Sequence, residues 1–228
     1  MAAVIEVVAP GLQTTVQDLG RWGYQASGVP VAGPMDPFSH RLANALVGNP
    51  PGAATLEVTL VGPTLGFGDR RTCSVTGAEF DVWIDESPVP CGMPVEIPAG
   101  SVLRFGARHR GARAYLGVAG GVDVPLVLGS RSTHVPTRMG GWQGRALVRG
   151  DVVPLGMPRA GCPRPPVMRM AGPVRDAAGV VRVLEGPQAG RFQRDALDVL
   201  VAEPYRVDVE SDRMGFRLSG LPVGNVPS

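Results

Sequence analysis

The stretch from Val16 to Gly62 constrains the fold more than any other part of the chain, because its backbone must turn repeatedly and then commit to a helix. Gly20, Gly23, Gly28 and Gly33 recur with Pro30 and Pro34 among them, so left-handed or pre-set dihedrals are demanded at closely spaced points. Asp36 before Pro37 places a side-chain acceptor at an N-cap and proline at the first helical position. A helix is expected over Pro37 to Val47, with Phe38, Leu42, Ala45 and Leu46 on one face and Gly48-Asn49-Pro50 as its stop. A strand is expected over Thr55 to Val61, in which Leu56, Val58 and Leu60 share one face and Glu57 and Thr59 the other.

Elsewhere the 32 glycines and 23 prolines are spread along the chain and only 5% of residues are aromatic, which suits many short strands joined by tight turns. Strands are expected at Val4 to Val8, Thr72 to Val75, Phe80 to Ile84, Val95 to Ile97, Val102 to Phe105, Arg113 to Val118 and Ala146 to Val153. Turn clusters at 66–69, 85–88 and 98–100 separate them, and the spacing indicates a β-barrel or sandwich. A proline- and glycine-rich stretch, 156–173, reads as the crossing between a first half, 1–155, and a second, 174–228. In the second half, Val181 to Leu184 and Tyr205 to Val209 read as strands and Arg191 to Val201 as a short helix. Gly20 to Val31 aligns without gaps to Asp212 to Val223, sharing Arg, Gly, Ser, Gly, Pro and Val, which points to two related halves. The first copy runs on into a helix and the second does not, so the second half is expected to be unfinished, with apolar surface left for a partner.

All 22 basic residues are arginine, and this excludes any P-loop lysine, Schiff-base lysine, Ser-Lys dyad or biotinyl-lysine on this chain. A net charge of +2 without a basic run gives no field for nucleic acid. Cys73, Cys91 and Cys162 are scattered and odd in number, as for reduced thiols in the cytoplasm, and no apolar run approaches membrane-spanning length. His40, His109 and His134 lack ligand spacing, so no metal is expected. The Gly33-Pro34-Met35-Asp36 helix start is rejected as a phosphate cradle because a carboxylate and a proline stand where the anion and a donor N–H would be.

The chemistry-bearing features that remain are three arginine-bearing polar loops: Gln17-Asp18-Leu19-Gly20-Arg21, Ser130-Arg131-Ser132-Thr133 and Ser211-Asp212-Arg213. An arginine fork beside hydroxyls or a carboxylate binds a carboxylate, carbamate or carboxybiotin bidentately. Arg21, Asp18 and Arg131 are the candidate catalytic residues, and Gln17, Tyr24, Ser130, Ser132, Thr133 and Arg213 the candidate substrate-binding ones. The competing reading is that each arginine pairs with its neighbouring aspartate or with turn carbonyls and pins its loop.

VQDLGRWGY (16–24), GVPVAGPMDPFSHRLANALVGN (28–49) and LEVTLVGP (56–63) resemble the biotin-dependent carboxyltransferase-like family, which includes the C-type subunit of 5-oxoprolinase, KipA, allophanate hydrolase subunit 2 and the matching part of urea carboxylase. The likeness continues through GARAYLGVAGGVDVPLVLGSRST (111–133), GRALVRGDVVPLG (144–156), VRVLEGPQ (181–188) and SDRMGFRLSG (211–220). The resemblance implies a mainly β, cyclophilin-like barrel fold in a heteromer. It further implies a component of ATP-dependent 5-oxoprolinase, which opens the cyclic amide 5-oxoproline to glutamate together with KipI-like (B-type) and LamB/YcsF-like (A-type) subunits. ATP then belongs to the complex, and no cofactor is attached covalently to this chain. The alternatives are carboxyl transfer in a urea carboxylase and allophanate pathway, with carboxybiotin on a partner, or a KipA-like regulatory binding protein. Without lysine, the chain is excluded as the amidase-signature subunit of allophanate hydrolase.

Overall fold

Alternating apolar side chains build β1 (Val4–Ala9), which sends Ile5 and Val7 into the core. The computed structural model describes residues 3–158, 180–211 and 215–226. The chain divides into two units, Met1–Ala171 and Gly172–Ser228. In the first, β1 is followed by β2 (Gln13–Gln17), α1 (Pro37–Leu46), β3 (Thr55–Thr59), β4 (Thr64–Phe67), β5 (Arg71–Ile84), β6 (Ser87–Val89), β7 (Pro94–Ile97), β8 (Val102–Val118) and β9 (Val152–Pro154). These strands form one nine-stranded antiparallel sheet with the path β2-β3-β8-β4-β1-β9, while β5 runs along β8 and carries β6 and β7. The protein is thus mainly β, as expected, and its sheet is strongly curled into a half-barrel.

The curl follows from β8. Its first residues pair with β4 (Thr64↔Arg104) and its last with β3 (Leu56↔Leu116), while β5 accompanies both ends. The inner face collects Val16, Leu56, Val58, Leu65, Phe67, Val75, Val82, Leu103, Phe105, Leu116 and Val153 into one apolar core. Residues 147–155 then bridge the two sheet edges: Leu147 N–H donates to Thr14 O at 2.8 Å, and Val7 N–H donates to Asp151 O at 2.8 Å.

Several expectations are corrected by these pairings. The expected strands 72–75 and 80–84 are one strand, β5, as are 102–105 and 113–118 in β8. Bulges between Gly77 and Val82 let the ladder absorb residues that read as breaks. β2, β4 and β6 are strands that the sequence pattern does not announce, and β4 and β6 take in residues read as turns. Of the expected strand 146–153 only Val152 and Val153 are strand, in β9 (Val152–Pro154), because residues 147–151 change edges instead of following one. β3 ends at Thr59, since Leu60 adopts φ 56°.

The helix cap is as the sequence indicates: Asp36 Oδ1 accepts from Phe38 N–H at 3.1 Å and Ser39 N–H at 3.0 Å. Its buried face is a different one. Ser39, His40, Ala43, Asn44 and Leu46 face the sheet, whereas Phe38 is 61% exposed and Ala45 points outward. The reason is the outer surface of the sheet, which is polar here: Ser74 Oγ donates to Ala43 O and Thr76 Oγ1 to Ser39 O, at 2.8 and 2.7 Å. Such close approach needs a small residue beneath, and Gly117 of β8 supplies it; a Cβ there would lie 2.7 Å from Ala43 O.

In the second unit, a 3-10 turn (Ala189–Arg191) precedes α2 (Ala196–Ala202), and β10 (Arg206–Val207) pairs with β11 (Leu218–Ser219). The expected helix therefore begins later than Arg191, the expected strand 205–209 shortens to two residues, and 181–184 is not a strand. None of the described residues from 180 onward is buried, and Leu184 is 97% exposed. The stretch 159–173 of the expected crossing lies outside the described residues. Among the described residues no helix is long and apolar enough to cross a membrane.

Gly117→Val should drive the side chain into the α1 backbone and lower stability by about 1–3 kcal/mol. A fall in the urea midpoint with an unchanged m-value, and β-sheet circular dichroism retained, is the expected result; an unaltered midpoint would show that α1 does not rest on this glycine.

Candidate functional site

β2 lies at one end of the sheet path, and an exposed row of N–H and C=O groups there would have to be covered. The segment Ser130–Thr133 covers it. Thr133 N–H donates to Val16 O at 2.9 Å, its Oγ1 donates to the same carbonyl at 2.9 Å, and Gln17 Nε2 donates to Thr133 O at 3.1 Å. Two of the three polar loops singled out from the sequence are thereby brought side by side, although more than 100 residues separate them.

Asp18 locks them together. Its Oδ1 accepts from Gly20 N–H (2.9 Å), Ser130 Oγ (2.5 Å) and Ser132 Oγ (2.7 Å), and its Oδ2 accepts from Arg131 N–H (2.6 Å). Burial alone would raise the pKa of this carboxyl, but the hydrogen bonds from Ser130, Arg131 N–H, Ser132 and Gly20 outweigh it and hold the group below the usual carboxylate range. Asp18 is therefore an ionised hub whose acceptor capacity is used within the protein, which suits positioning better than proton transfer.

Among the described residues Arg21 is the largest fully buried side chain, at 1% exposure. It does not pin its own loop. Nη2 donates to Ser132 O, Nε makes a long 3.5 Å contact with Val127 O, and Nη1 has no hydrogen-bond partner among the described residues. Burial lowers its pKa and the charge of Asp18 offsets this in part. Gly140 and Gly141 lie over this side of the cluster with φ of 67° and 57°. A Cβ on Gly140 would stand 2.5 Å from Arg21 Nη2, and one on Gly141 would stand 1.9 Å from Thr133 Oγ1, so only glycine admits this covering turn.

The Arg131 side chain points away from Arg21's partners. It donates to Val124 O through Nε and pairs with Asp123 through Nη2, both at 2.8 Å, and stays 31% exposed at the rim. Tyr24 is exposed beside the 3-10 turn Gln25–Ser27 and joins none of these bonds. Arg213 and Asp212 lie outside the described residues. The structure thus gathers Gln17, Asp18, Arg21, Ser130, Ser132 and Thr133 with the backbone of Arg131, and leaves Tyr24 aside.

A second polar layer under α1 escaped the sequence reading. His40 is buried, with Nδ1 2.9 Å from Thr55 Oγ1, and burial lowers its pKa. Asn44 donates to Ala53 O at 2.8 Å and accepts from Asn49, which itself donates to Val118 O at 2.7 Å. Tyr115 OH donates to the buried Glu57 carboxylate at 2.8 Å and accepts from Asp36 N–H at 2.7 Å, while Met35 N–H donates to Glu57 Oε2 at 2.9 Å. These groups hold the start of α1, and with it the end of the glycine-rich loop, against the sheet. The available signal was Glu57 and Thr59 alternating with Leu56 and Val58, a pattern that reads as solvent-facing unless a helix covers it. Among the described residues no cluster of His, Cys, Asp and Glu could hold a metal ion.

Residues 27–228 match the family model described as carboxyltransferase domain, subdomain A and B. The chain is 36% identical over 218 residues to the C-type 5-oxoprolinase subunit of Escherichia coli, covering 95% of this chain and 69% of that protein. It is 37% identical over 228 residues to a urea amidolyase of Lachancea kluyveri, covering 94% of this chain but only 12% of that one. The crystal structure of the K. lactis urea amidolyase superposes with a TM-score of 0.82 at 35% identity, over 98% of this chain and 14% of that chain.

Asp18→Asn should turn an amide nitrogen toward donors that now meet a carboxylate oxygen, and cost about 3 kcal/mol. Because the folded pKa of Asp18 lies below its unfolded value, the stabilisation is complete above about pH 4 and lost as pH falls through the folded value. Asp151, held at about 2 by its hydrogen bonds from Arg145, loses its own share over the same acid limb. Urea unfolding between pH 7 and 2 should show the wild type losing stability below pH 4 and Asp18→Asn losing less. Equal acid slopes would mean that Asp18 is not stabilised as an anion.

Proposed function

We propose that this chain, which belongs to the carboxyltransferase domain, subdomain A and B, family, is the C-type component of a multisubunit 5-oxoprolinase that opens a cyclic amide to its amino acid. The observation that carries the reading is the match to the E. coli protein, which extends over most of both chains. The partners are KipI-like and LamB/YcsF-like subunits, with ATP bound at the level of the complex in the cytoplasm, and the curled sheet of the first unit corresponds to a cyclophilin-like half. The substrate site is the junction of the 17–21 and 130–133 loops. Its chemical logic is electrostatic: opening an amide builds negative charge on the carbonyl oxygen, and guanidinium groups carried on two loops that Asp18 and its hydroxyl partners lock together stabilise that charge without reorganising. Arg131 at the rim orients the carboxylate of the substrate, and buried Arg21 supplies the fixed positive field.

The second reading is the carboxyl-transfer segment of a urea carboxylase, favoured by the 37% identity to urea amidolyases. With no lysine in the chain, biotin would have to arrive on another polypeptide or segment.

Reconstitution with the two partner-type subunits, followed by glutamate release from 5-oxoproline and ATP, separates the readings. Turnover that requires all three chains is expected. Arg131→Gln should lower kcat/KM by at least about tenfold, roughly 1.4 kcal/mol, with little change in Tm. Bicarbonate- and urea-dependent ADP release with a biotin carboxylase, and none with 5-oxoproline, would overturn the first reading in favour of the second.

A further inference from the structure

The imidazole of His40, fully buried between α1 and the sheet, belongs to a row of hydrogen bonds whose direction is fixed from its far end. Gly120 N–H donates to Asn49 Oδ1 at 2.9 Å, so Asn49 turns its Nδ2 to Val118 O and to Asn44 Oδ1, at 2.7 and 3.0 Å. Asn44 is left with Nδ2 as its other group, which donates to Ala53 O at 2.8 Å and faces His40 Nε2 at 3.4 Å. A ring nitrogen that faces a donor presents its lone pair, so the ring proton belongs on Nδ1. Nδ1–H then donates to Thr55 Oγ1 at 2.9 Å, and the Thr55 hydroxyl donates to Gln17 O at 3.4 Å. Gln17 in turn holds Thr133 O through its side chain.

A second ring proton breaks this row. It would set an Nε2–H against the Asn44 amide donor, with the Pro51 carbonyl alongside as its acceptor. Burial opposes the charge most strongly and Arg41 adds to it, while Pro51 O and the charge of Asp18 favour it; the balance lowers the pKa. Tyr115 of β8 stands edge-on to the ring, centroids 6.1 Å apart, with its hydroxyl on Glu57 of β3, and β5 contributes the hydroxyls of Ser74 and Thr76 to α1.

We propose that His40 is a positioning residue and an acid-sensitive latch: neutral and in the Nδ1–H form, it ties α1 through Thr55 to the Gln17 end of β2, and on protonation it releases that end together with the 130–133 segment. The latch goes beyond the proposed function and holds for whichever reaction the assembly performs, because it concerns how two distant loops are kept together. Since the folded pKa of His40 lies below the unfolded value of about 6.5, the latch is closed above that pH and weakens as pH falls through it toward the folded value. One proton is involved, so opening rises by up to about tenfold per pH unit.

Nitrogen NMR of the assigned histidine rings in the full chain, near neutral pH, should find His40 in the Nδ1–H form. An Nε2–H ring, or one that titrates at about 6.5 like a solvated imidazole, overturns the assignment. Native-state hydrogen exchange then reads the latch. The protection of Thr133 N–H, corrected for its intrinsic rate, should fall by up to about tenfold per pH unit below about pH 6.5. Gly100 N–H, which donates to Phe67 O on β4, should keep its protection over the same range. His40→Asn, whose amide nitrogen stands where Nδ1 does and cannot titrate, should make Thr133 protection independent of pH; His40→Leu should also lower it at neutral pH. Should neither variant fold, the wild-type comparison of Thr133 with Gly100 decides. Equal losses at the two amides, or Thr133 protection that ignores pH, would show that His40 is no latch.

Discussion

The carboxylate of Asp18 is the interaction on which the polar end of this fold depends. One ionised group, receiving hydrogen bonds from Gly20, Ser130, Arg131 and Ser132, joins the glycine-rich loop after β2 to a segment more than 100 residues later. The joint covers the free edge of β2, fixes Ser132 O where Arg21 reaches it, and sets the Arg131 backbone so that its side chain turns to the rim. A charge with saturated acceptors is a rigid element, and rigidity is what electrostatic catalysis asks of the groups around a reacting carbonyl.

Glycine is the complementary constraint. Gly117 lets the α1 backbone settle on the sheet, and Gly140 lets a turn settle on a guanidinium; in both places the next atom lies where a Cβ would be. The consequence is a layered site in which α1 and the loop 138–144 are brought within contact distance of polar groups. Those groups then remain buried, Glu57 with Tyr115 and Gln17 with Thr133, and buried Asn44 is held by half-buried Asn49. The RLANALVGN motif of α1 is thereby explained as architecture, since its two asparagines bond main-chain carbonyls of Ala53 and Val118.

The two units differ in how far they account for themselves. The first has a continuous apolar core, whereas the described part of the second has no buried residue, and α2 carries Leu197 and Val201 at its surface. Those described residues bury so little apolar area that they contribute little stability of their own. This suits a component that works within a larger assembly, as the proposed function requires.

Much of this was legible in the sequence for local reasons. The Asp36-Pro37 cap, the stop at Gly48, the β-rich class and the polar loops around Arg21 and Arg131 each depend on residues adjacent in the chain. The absence of lysine likewise settled, by chemistry alone, which nucleophiles and carriers this chain cannot provide. What only the tertiary structure decided were relations between distant segments. The helix face that is buried is the one carrying His40 and Asn44, because the sheet beneath it is polar; Phe38 is left outside. Strands that read as separate fuse through bulges, since pairing with β8 outweighs local glycine signals. Arg21, which pattern alone allowed either to pin its loop or to bind a ligand, reaches instead to the carbonyls of another loop and keeps one nitrogen open, because the Asp18 that could have paired with it is consumed by hydroxyls and N–H groups that only folding brings near.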